Sequence, residues 1–253
     1  MLVICNGAIK SGSTWLYNIL VQLTQPRHPP ARYLTGRSER SPCIWPHKFE
    51  QFLANEDFRG ENYITKNHLA SDEHRQMLLR TEDVYLFDIE RDPRDVVVSN
   101  FYHDRFRNGY EGSFEQYYWE RGREVAASLS RYHALWRDAG PRSYVSSYEE
   151  LHRDFASEVA RIAGVMRLQP SPEEIEGIRE KTTIGSLRAK YQDDPRYQGE
   201  KFFRKGEIGD WQNHFEGRLL RDVEKVMHEG IGPLDLPALR NRVRRKVSGW
   251  LGR

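Results

Sequence analysis

The sequence has little of what disulfide-stabilised and membrane proteins need. It contains two cysteines, Cys5 and Cys43, in 253 residues, and their spacing matches no disulfide framework or metal motif. Its N-terminal apolar run, residues 2–5, is far shorter than a signal peptide or a membrane span, and no other run approaches membrane length. We therefore expect a cytoplasmic protein with reduced thiols, no integral membrane segment and no required metal.

The sequence also carries little net charge. Lys and Arg total 39 and Asp and Glu total 37, which gives a formal charge of +2. A balance so close to neutral is not typical of proteins that coat nucleic acid, so any bound anion should be held by a few placed cations. An aromatic content of 12% indicates a packed core, and the length suffices for one α/β domain or two small ones.

What the sequence does contain is an alternation of short apolar strands and longer helical segments. Strands are predicted at residues 2–5, 63–65, 84–89 and 143–147. An amphipathic helix is predicted after the last strand, with an apolar stripe made of Leu151, Phe155, Val159, Ile162 and Met166. The alternation predicts a single α/β domain over residues 1–253, with a central parallel sheet flanked by helices and a P-loop-like nucleotide-binding topology.

Three segments interrupt this alternation. Residues 26–46 include five prolines and are predicted to form a surface loop, whereas residues 191–210 are predicted to form a mobile loop over a nucleotide. Residues 236–253 have the pattern of a basic amphipathic terminal helix. Packing of that helix against the domain is favoured over contact with an anionic membrane surface or a carrier protein.

The segment between the first strand and the first helix resembles a phosphate-binding loop. Gly7 and Gly12 have the P-loop spacing and Thr14 fits its last position, but Ser13 replaces the usual lysine, which is found instead at Lys10. A glycine turn that opens a helix presents N–H groups and the positive end of the helix dipole to an anion. We expect the displaced lysine to meet a group on the 5′-phosphate of a nucleotide shorter than ATP; a solvated lysine in a plain glycine turn is the less favoured alternative.

Two further segments have the residue types of anion sites. Arg91 follows the third predicted strand, at the strand end where open α/β sheets bind ligands, and Ser99 lies about two helical turns further on. An arginine fork and a hydroxyl suit a phosphate monoester, although an ordinary ion pair explains Arg91 equally well. Near the C-terminal third, Arg204 and Lys205 supply adjacent cations and Gly206 permits close approach of the backbone to a ligand.

Together these motifs resemble those of the cytosolic sulfotransferases that use PAPS (3′-phosphoadenosine 5′-phosphosulfate) as donor and release PAP. Four elements occur in the family's order along most of the chain. They are Ile9-Lys10-Ser11-Gly12-Ser13-Thr14-Trp15, Lys66-Asn67-His68-Leu69-Ala70, the segment from Arg91 to Ser99, and the segment from Arg204 to Phe215. Asn67 and Ala70 depart from the Thr and Pro of the family pattern, which concerns the acceptor side of the site.

The resemblance implies a donor-binding role for each matched position. The 5′-phosphate would be held by Lys10, Ser11, Gly12, Ser13 and Thr14, and Trp15 would stack near adenine. The 3′-phosphate would be held by Arg91, Ser99, Arg204, Lys205 and Gly206. Tyr148 would contact the adenine side, and Thr182 and Leu187 match a further adenine-contacting stretch loosely, because Ile184 replaces the family's phenylalanine.

The resemblance also implies how the reaction proceeds. His68 would act as the general base, Lys10 would stabilise charge on the leaving phosphate oxygen, Lys66 would assist near the sulfuryl group, and Ser99 would couple donor binding to Lys10. The implied reaction is in-line transfer of a sulfuryl group from PAPS to a hydroxyl, or an amine, of a small-molecule acceptor.

The acceptor is less well specified by the sequence. Some of the aromatic residues between positions 101 and 119 would line a pocket for an apolar or aromatic acceptor, while most would pack between helices. No motif supports dimerisation, although a weak homodimer is compatible with the sequence, and no nucleic-acid partner is expected. Two alternatives remain: an ATP-dependent P-loop kinase, disfavoured by Ser13, and a non-catalytic nucleotide-binding relative, disfavoured by the presence of Lys10, His68 and Ser99.

Overall fold

The computed structural model describes residues 1–36, 40–55, 58, 60–137, 140–194, 197 and 202–229. Its centre is a sheet with strand order β2-β1-β3-β4, in which every neighbouring pair is parallel. The strands are β1 (Leu2–Cys5), β2 (Tyr63–Lys66), β3 (Val84–Glu90) and β4 (Ser143–Ser147). The predicted α/β fold with a parallel sheet is therefore confirmed, and all four predicted strands are present.

Helices flank the sheet on both faces. In the described part of the chain they are α1 (Ser13–Thr24), α2 (Phe49–Ala54), α3 (Asp72–Arg80), α4 (Pro93–Asn108), α5 (Phe114–Tyr117), α6 (Arg123–Trp136), α7 (Tyr148–Arg153), α8 (Phe155–Val165), α9 (Pro172–Lys181), α10 (Ile184–Tyr191) and α11 (Gly217–Glu229). A π-helical turn, Tyr118–Gly122, joins α5 to α6. Short 3-10 turns occupy Ala31–Tyr33, Pro46–Lys48 and Asp210–Asn213. Of the described helices, none is both long and apolar enough to cross a membrane.

Strand β1 is apolar throughout because it lies in the middle of the sheet and is covered on both faces. Side chains alternate between the two faces of a strand. Accordingly, Val3 and Cys5 pack in one core cluster, whereas Leu2 and Ile4 pack in another, and all four are fully buried. The loop that follows β1 therefore starts from a strand whose residues are all fully buried.

The single helix predicted after β4 is wrong in one respect, because Asp154 divides it into α7 and α8. Asp154 leaves helical geometry (φ −144°, ψ 77°), and its side chain accepts a hydrogen bond from the N–H of Ser157 as the N-cap of α8. Aspartate favours this position because its carboxylate satisfies an N–H group that the helix leaves unpaired. Leu151 and Phe155 nevertheless both enter the core, so the apolar stripe continues across the break.

The three irregular segments are described to different extents. In the segment predicted as a surface loop, residues 26–46, many side chains are exposed, but Tyr33 and Ile44 are buried in the core beside β1. In the segment 191–210, Tyr191 and Tyr197 are buried against each other. The predicted terminal helix at residues 236–253 lies outside the described residues.

Candidate functional site

A cavity of about 340 Å³ is formed at the carboxyl ends of the parallel strands, where the loops after β1, β3 and β4 meet. This is the edge at which open α/β sheets bind ligands. Every residue that we predicted to bind the donor lines the cavity except Ser11. These lining residues are Lys10, Gly12, Ser13, Thr14, Trp15, Arg91, Ser99, Tyr148, Arg204, Lys205 and Gly206.

The loop after β1 has a backbone that only certain residues tolerate. Gly12 has a φ of 105°, and a Cβ atom there would lie 2.6 Å from Cδ2 of Tyr148. Lys10 also has a positive φ, 70°, which is uncommon for a residue with a side chain. Helix α1 begins at Ser13; the N–H of Trp15 donates to the carbonyl of Gly12 at 2.8 Å, whereas those of Ser13 and Thr14 lack partners within the helix and can be offered to an anion.

Ser11 is directed away from the cavity. Both its N–H and its hydroxyl donate to the carbonyl of Ala8, at 3.2 and 2.7 Å, and the residue is fully buried. Its side chain therefore stabilises the turn of the loop. The structure does not place this hydroxyl on the surface where a phosphate would be held.

Lys10 lies in a strongly cationic environment. Its Nζ is 3.8 Å from the centre of the Phe202 ring. Burial, and then repulsion from Lys66, Arg91 and other cations, together lower the pKa of Lys10 from 10.5 to about 7. A site in which cations repel one another is arranged for an anion that would balance them.

Arg91 enters the cavity from the end of β3. Its NH2 group donates to the carbonyl of Glu207 at 2.9 Å, and the guanidinium lies 4.2 Å from the centre of the Tyr148 ring. The ion pair anticipated as an alternative is present but long, with 3.9 Å between Arg91 and Asp95. The buried Nε of Arg91 has no hydrogen-bond partner among the described residues, so the side chain has a donor for a ligand.

Arg204 and Lys205 are held together by one carboxylate. Both cations donate to Asp210, Lys205 at 2.7 Å. Burial opposes ionisation of Asp210, but the hydrogen bonds from Lys205, Arg204 and Asn213 outweigh it and lower the pKa of that carboxyl. Gly206 has a φ of 71°, and a Cβ there would lie 2.7 Å from Cδ1 of Ile184. The segment thus combines oriented cations with a backbone position that requires glycine.

Asp95 anchors this segment, a role that the sequence analysis did not assign. The carboxylate lies on α4 with 1% exposure, and it accepts hydrogen bonds from the N–H groups of Gly209 and Trp211, at 2.8 and 2.9 Å. The sequence shows only that Asp95 follows Arg91 by four positions, in the first turn of a predicted helix. That position does not predict hydrogen bonds to residues more than a hundred positions away.

The opposite end of the cavity is aromatic. The Trp15 ring lies 5.5 Å from Tyr148 and 4.8 Å from His152, and it stacks on Phe155 at 6.1 Å. The buried Nε1 of Trp15 has no hydrogen-bond partner among the described residues, which suits a ligand with an aromatic acceptor group such as a nucleobase. Sequence reasoning missed His152 and Phe155 here, whereas the loosely matched Thr182, Ile184 and Leu187 do line the cavity.

Two of the predicted catalytic residues lie outside the cavity lining but contact the same loop. Lys66, at the end of β2, donates from Nζ to Oγ1 of Thr14 at 2.6 Å. His68 is exposed, and its Nδ1 is hydrogen-bonded to the carbonyl of Gly7. The third, Ser99, lines the cavity from α4. Lys66 and His68 therefore both contact the loop that contributes Lys10 to the cavity.

The aromatic segment between residues 101 and 119 mainly builds the core. Phe101, Tyr117 and Tyr118 are buried in a cluster with Phe215, between α4, α6 and α11. Tyr102 instead packs beneath the guanidinium of Arg204, 4.2 Å from its centre. The packing between helices that we expected for most of these residues is what the structure contains.

Comparison with known proteins gives a consistent result. A model of the sulfotransferase domain matches residues 2–235. The chain is 28% identical over 160 residues to sulfotransferase 6B1 of Danio rerio, a match that covers 60% of this chain and 53% of that protein. It is 26% identical over 234 residues to the 3-beta-hydroxysteroid sulfotransferase of Cavia porcellus, covering 87% of this chain and 80% of that protein.

The fold is also found among solved structures. Mouse sulfotransferase SULT7A1, crystallised in complex with PAP, superposes with a TM-score of 0.67 at 18% identity, covering 95% of this chain and 88% of that one. The two chains therefore share a fold. Neither this likeness nor the family match supports the kinase alternative.

Proposed function

Since this chain belongs to the sulfotransferase domain family, we propose that it transfers the sulfuryl group of PAPS to a hydroxyl, or an amine, of a small-molecule acceptor and releases PAP. The observation that carries this proposal is the convergence of Lys10, Arg91, Ser99 and Arg204 on one cavity from three separate segments of the chain.

The cavity offers the chemistry that PAPS requires. Two buried donors without partners among the described residues, Nε of Arg91 and Nε1 of Trp15, are available to a ligand. Arg91 and Arg204 supply guanidinium groups for a phosphate monoester, and the N-terminus of α1 supplies N–H groups for the 5′-phosphate. The aromatic end around Trp15 suits adenine.

Lys10 is placed to act on the leaving group in the proposed reaction. The acceptor oxygen forms a bond to sulfur, the bond from sulfur to the 5′-phosphate oxygen breaks, and its electron pair stays on that oxygen. An ammonium near that oxygen stabilises the negative charge that develops there. Lys66 contributes by holding Thr14 of the same loop, and its own charge lies close enough to lower the pKa of Lys10.

His68 is proposed to take the acceptor's proton. A backbone carbonyl accepts hydrogen bonds only, so the contact with Gly7 places the proton of a neutral imidazole on Nδ1. Nε2 then holds the lone pair that a general base needs. His68 follows β2 and contacts Gly7, and Lys10 lies three residues after Gly7 on the loop after β1, so we propose that one bound acceptor meets both groups.

The acceptor class we propose is a small alcohol. One relative, of which the match covers 80%, is named as a 3-beta-hydroxysteroid sulfotransferase. Exposed Ile9, two residues after Gly7 on the same loop, is an apolar side chain that an acceptor could contact. Phenols and amines are the other acceptors to compare.

The test is transfer of labelled sulfate from PAPS to a panel of hydroxysteroids, simple alcohols, phenols and amines, with the product identified by mass spectrometry. We expect a sulfate ester and an equal amount of PAP, and a larger rise in melting temperature with PAP than with ADP in the absence of magnesium. Two results together would count against the proposal: a rise in melting temperature with ADP and magnesium but not with PAP, and no transfer of sulfate to any acceptor.

A further inference from the structure

The segment that carries His68 is attached to the loop after β1 by more than strand pairing. The backbone pairing of β1 and β2 ends with Cys5 opposite Lys66. One residue later, the N–H of Asn67 still donates to the carbonyl of Cys5, at 2.9 Å. Beyond this point the two segments are linked through a side chain, that of Asn6.

The carboxamide of Asn6 bonds both backbone groups of Leu69. Its Oδ1 accepts from the N–H of Leu69 at 2.7 Å, and its Nδ2 donates to the carbonyl of Leu69 at 3.3 Å. Asn6 is fully buried and Leu69 is 3% exposed. Buried polar groups that lose such partners destabilise a protein, so the pair fixes Leu69, and with it the neighbouring His68.

Helix α6 holds both members of this pair. The hydroxyl of Tyr132 donates to the carbonyl of Asn6, and Nε1 of Trp136 donates to the carbonyl of Leu69 at 3.0 Å. Burial raises the pKa of the Tyr132 hydroxyl well above its usual range, so this group remains a donor. The Asn6–Leu69 pair therefore adjoins the paired strands β1 and β2 and also accepts two hydrogen bonds from α6.

Directly beside this pair, the imidazole of His68 meets the carbonyl of Gly7, the residue after Asn6. We propose that Asn6 is a positioning residue for His68: by holding Leu69 it keeps the imidazole over the Gly7 carbonyl, with the proton on Nδ1 and the lone pair on Nε2. This inference rests on the proposed function, in which His68 is the base.

The inference is tested with the full chain by comparing wild type, Asn6→Ala and Asn6→Asp. Asn6→Ala removes both bonds to Leu69, whereas Asn6→Asp keeps the size of the side chain and removes the amide donor. The matched control is Asn55→Ala, because Asn55 is partly buried and its amide donates to the hydroxyl of Tyr33 at 2.9 Å, in a contact that involves neither the loop after β1 nor the segment that carries His68. Nitrogen NMR of the His68 ring reports the tautomer, and steady-state kinetics separate kcat from the KM for PAPS.

We expect the wild type and Asn55→Ala to show the Nδ1-protonated ring. Both Asn6 variants should show a mixture of tautomers and a fall in kcat of about tenfold to 100-fold at an unchanged KM for PAPS, because a small displacement of a catalytic group has effects of that size. Should Asn6→Ala not fold, Asn6→Asp alone decides the question.

The possible failures are distinguishable. A wild-type tautomer and kcat in a folded Asn6 variant would overturn the positioning role alone. Full activity of His68→Ala would overturn the base assignment, and the inference with it. A shift of tautomer in Asn55→Ala equal to that in Asn6→Ala would also overturn it, because the effect would then follow the loss of an amide that does not contact the segment carrying His68.

Discussion

The carboxylate of Asp95 accepts a hydrogen bond from the N–H of Gly209, with 2.8 Å between the two atoms. It joins the first turn of α4 to a segment 114 residues away in the chain. Helix α4 also presents Ser99 to the cavity, and the distant segment presents Arg204. The contact between Asp95 and Gly209 therefore helps to set the distance between these two sides of the donor site. Binding of the 3′-phosphate should therefore depend on a residue that does not line the cavity.

Replacement of Asp95 by alanine should weaken PAP binding as well as stability. The N–H groups of Gly209 and Trp211, both partly buried, lose their partner. A fully buried group left unsatisfied costs about 1–3 kcal/mol, which is the upper limit for each of them. We expect the segment that carries Arg204 to shift and the Kd for PAP, measured by calorimetry, to rise about tenfold.

The matched control for Asp95→Ala is Asp154→Ala. Asp154 caps α8 through the N–H of Ser157, so its loss should lower stability. It lies outside the cavity lining, so the Kd for PAP should stay the same. An unchanged Kd in Asp95→Ala would show that the segment is held without this carboxylate.

Much of the fold could be predicted from the sequence because local patterns determine it. Strand β1 is apolar at every position since both its faces are covered, and the motif residues of the cavity follow strands whose ends were visible in the sequence. The helix break at Asp154 was not predicted, because an apolar stripe that continues across a break has the same period as the stripe of one uninterrupted helix.

The parts of the site that could not be predicted depend on contacts between distant segments. Asp95 meets Gly209 and Asn6 meets Leu69, and neither pair has a spacing that periodicity can reveal. Ser11 illustrates the converse, because its place in a phosphate-loop motif suggests a ligand contact, yet its hydroxyl is used by the turn itself. A motif specifies which residues occur in a loop, but not which way each side chain is directed.

His68→Ala should remove most turnover and leave donor binding intact. The imidazole contacts Gly7 and does not line the cavity, so the Kd for PAP should not change. General base catalysis contributes about 100-fold to 10,000-fold, and we expect kcat to fall within that range. Single-turnover measurements at saturating PAPS would isolate the transfer step.

The matched control for this variant is His74→Ala. His74 lies on α3, where its N–H bonds to the capping Ser71, away from the loop after β1. Its replacement should leave kcat unaltered. Equal kcat values for His68→Ala and wild type with the best acceptor would exclude the imidazole as the base.

Lys10 should make PAP binding depend on pH. The pKa of Lys10 is lowered to about 7 by burial and by the neighbouring cations, so at pH 8.5 the side chain is mainly neutral in the free protein. A bound phosphate stabilises the ammonium form and raises that pKa, so binding at pH 8.5 should take up a proton. The affinity for PAP should accordingly decrease as the pH rises above about 7. Calorimetry in two buffers of different ionisation enthalpy measures the uptake.

Other titrating groups near Lys10 do not obscure this measurement. Burial, with the charges of Lys10 and Arg107, lowers the pKa of His103 to about 4, so that ring stays neutral at pH 8.5. Lys10→Met should abolish the proton uptake, whereas the exposed Lys225, which pairs with Glu229 on α11, can be replaced by methionine without effect on it. Uptake of the same size in Lys10→Met would assign the proton to a different group.

The same shift gives a prediction for the stability of the free protein. Between about pH 7 and 10.5 the unfolded chain keeps the proton on Lys10 and the folded chain has lost it, so the unfolded state binds more protons. The contribution of Lys10 to the free energy of unfolding therefore rises with pH across this window. Saturating PAP should remove that rise, because the bound anion restores the charged form in the folded state. Denaturant unfolding of wild type and Lys10→Met at pH 7 and pH 9, with and without PAP, measures the difference. If the free energy of unfolding rises equally with pH in both proteins, the titrating group is not Lys10.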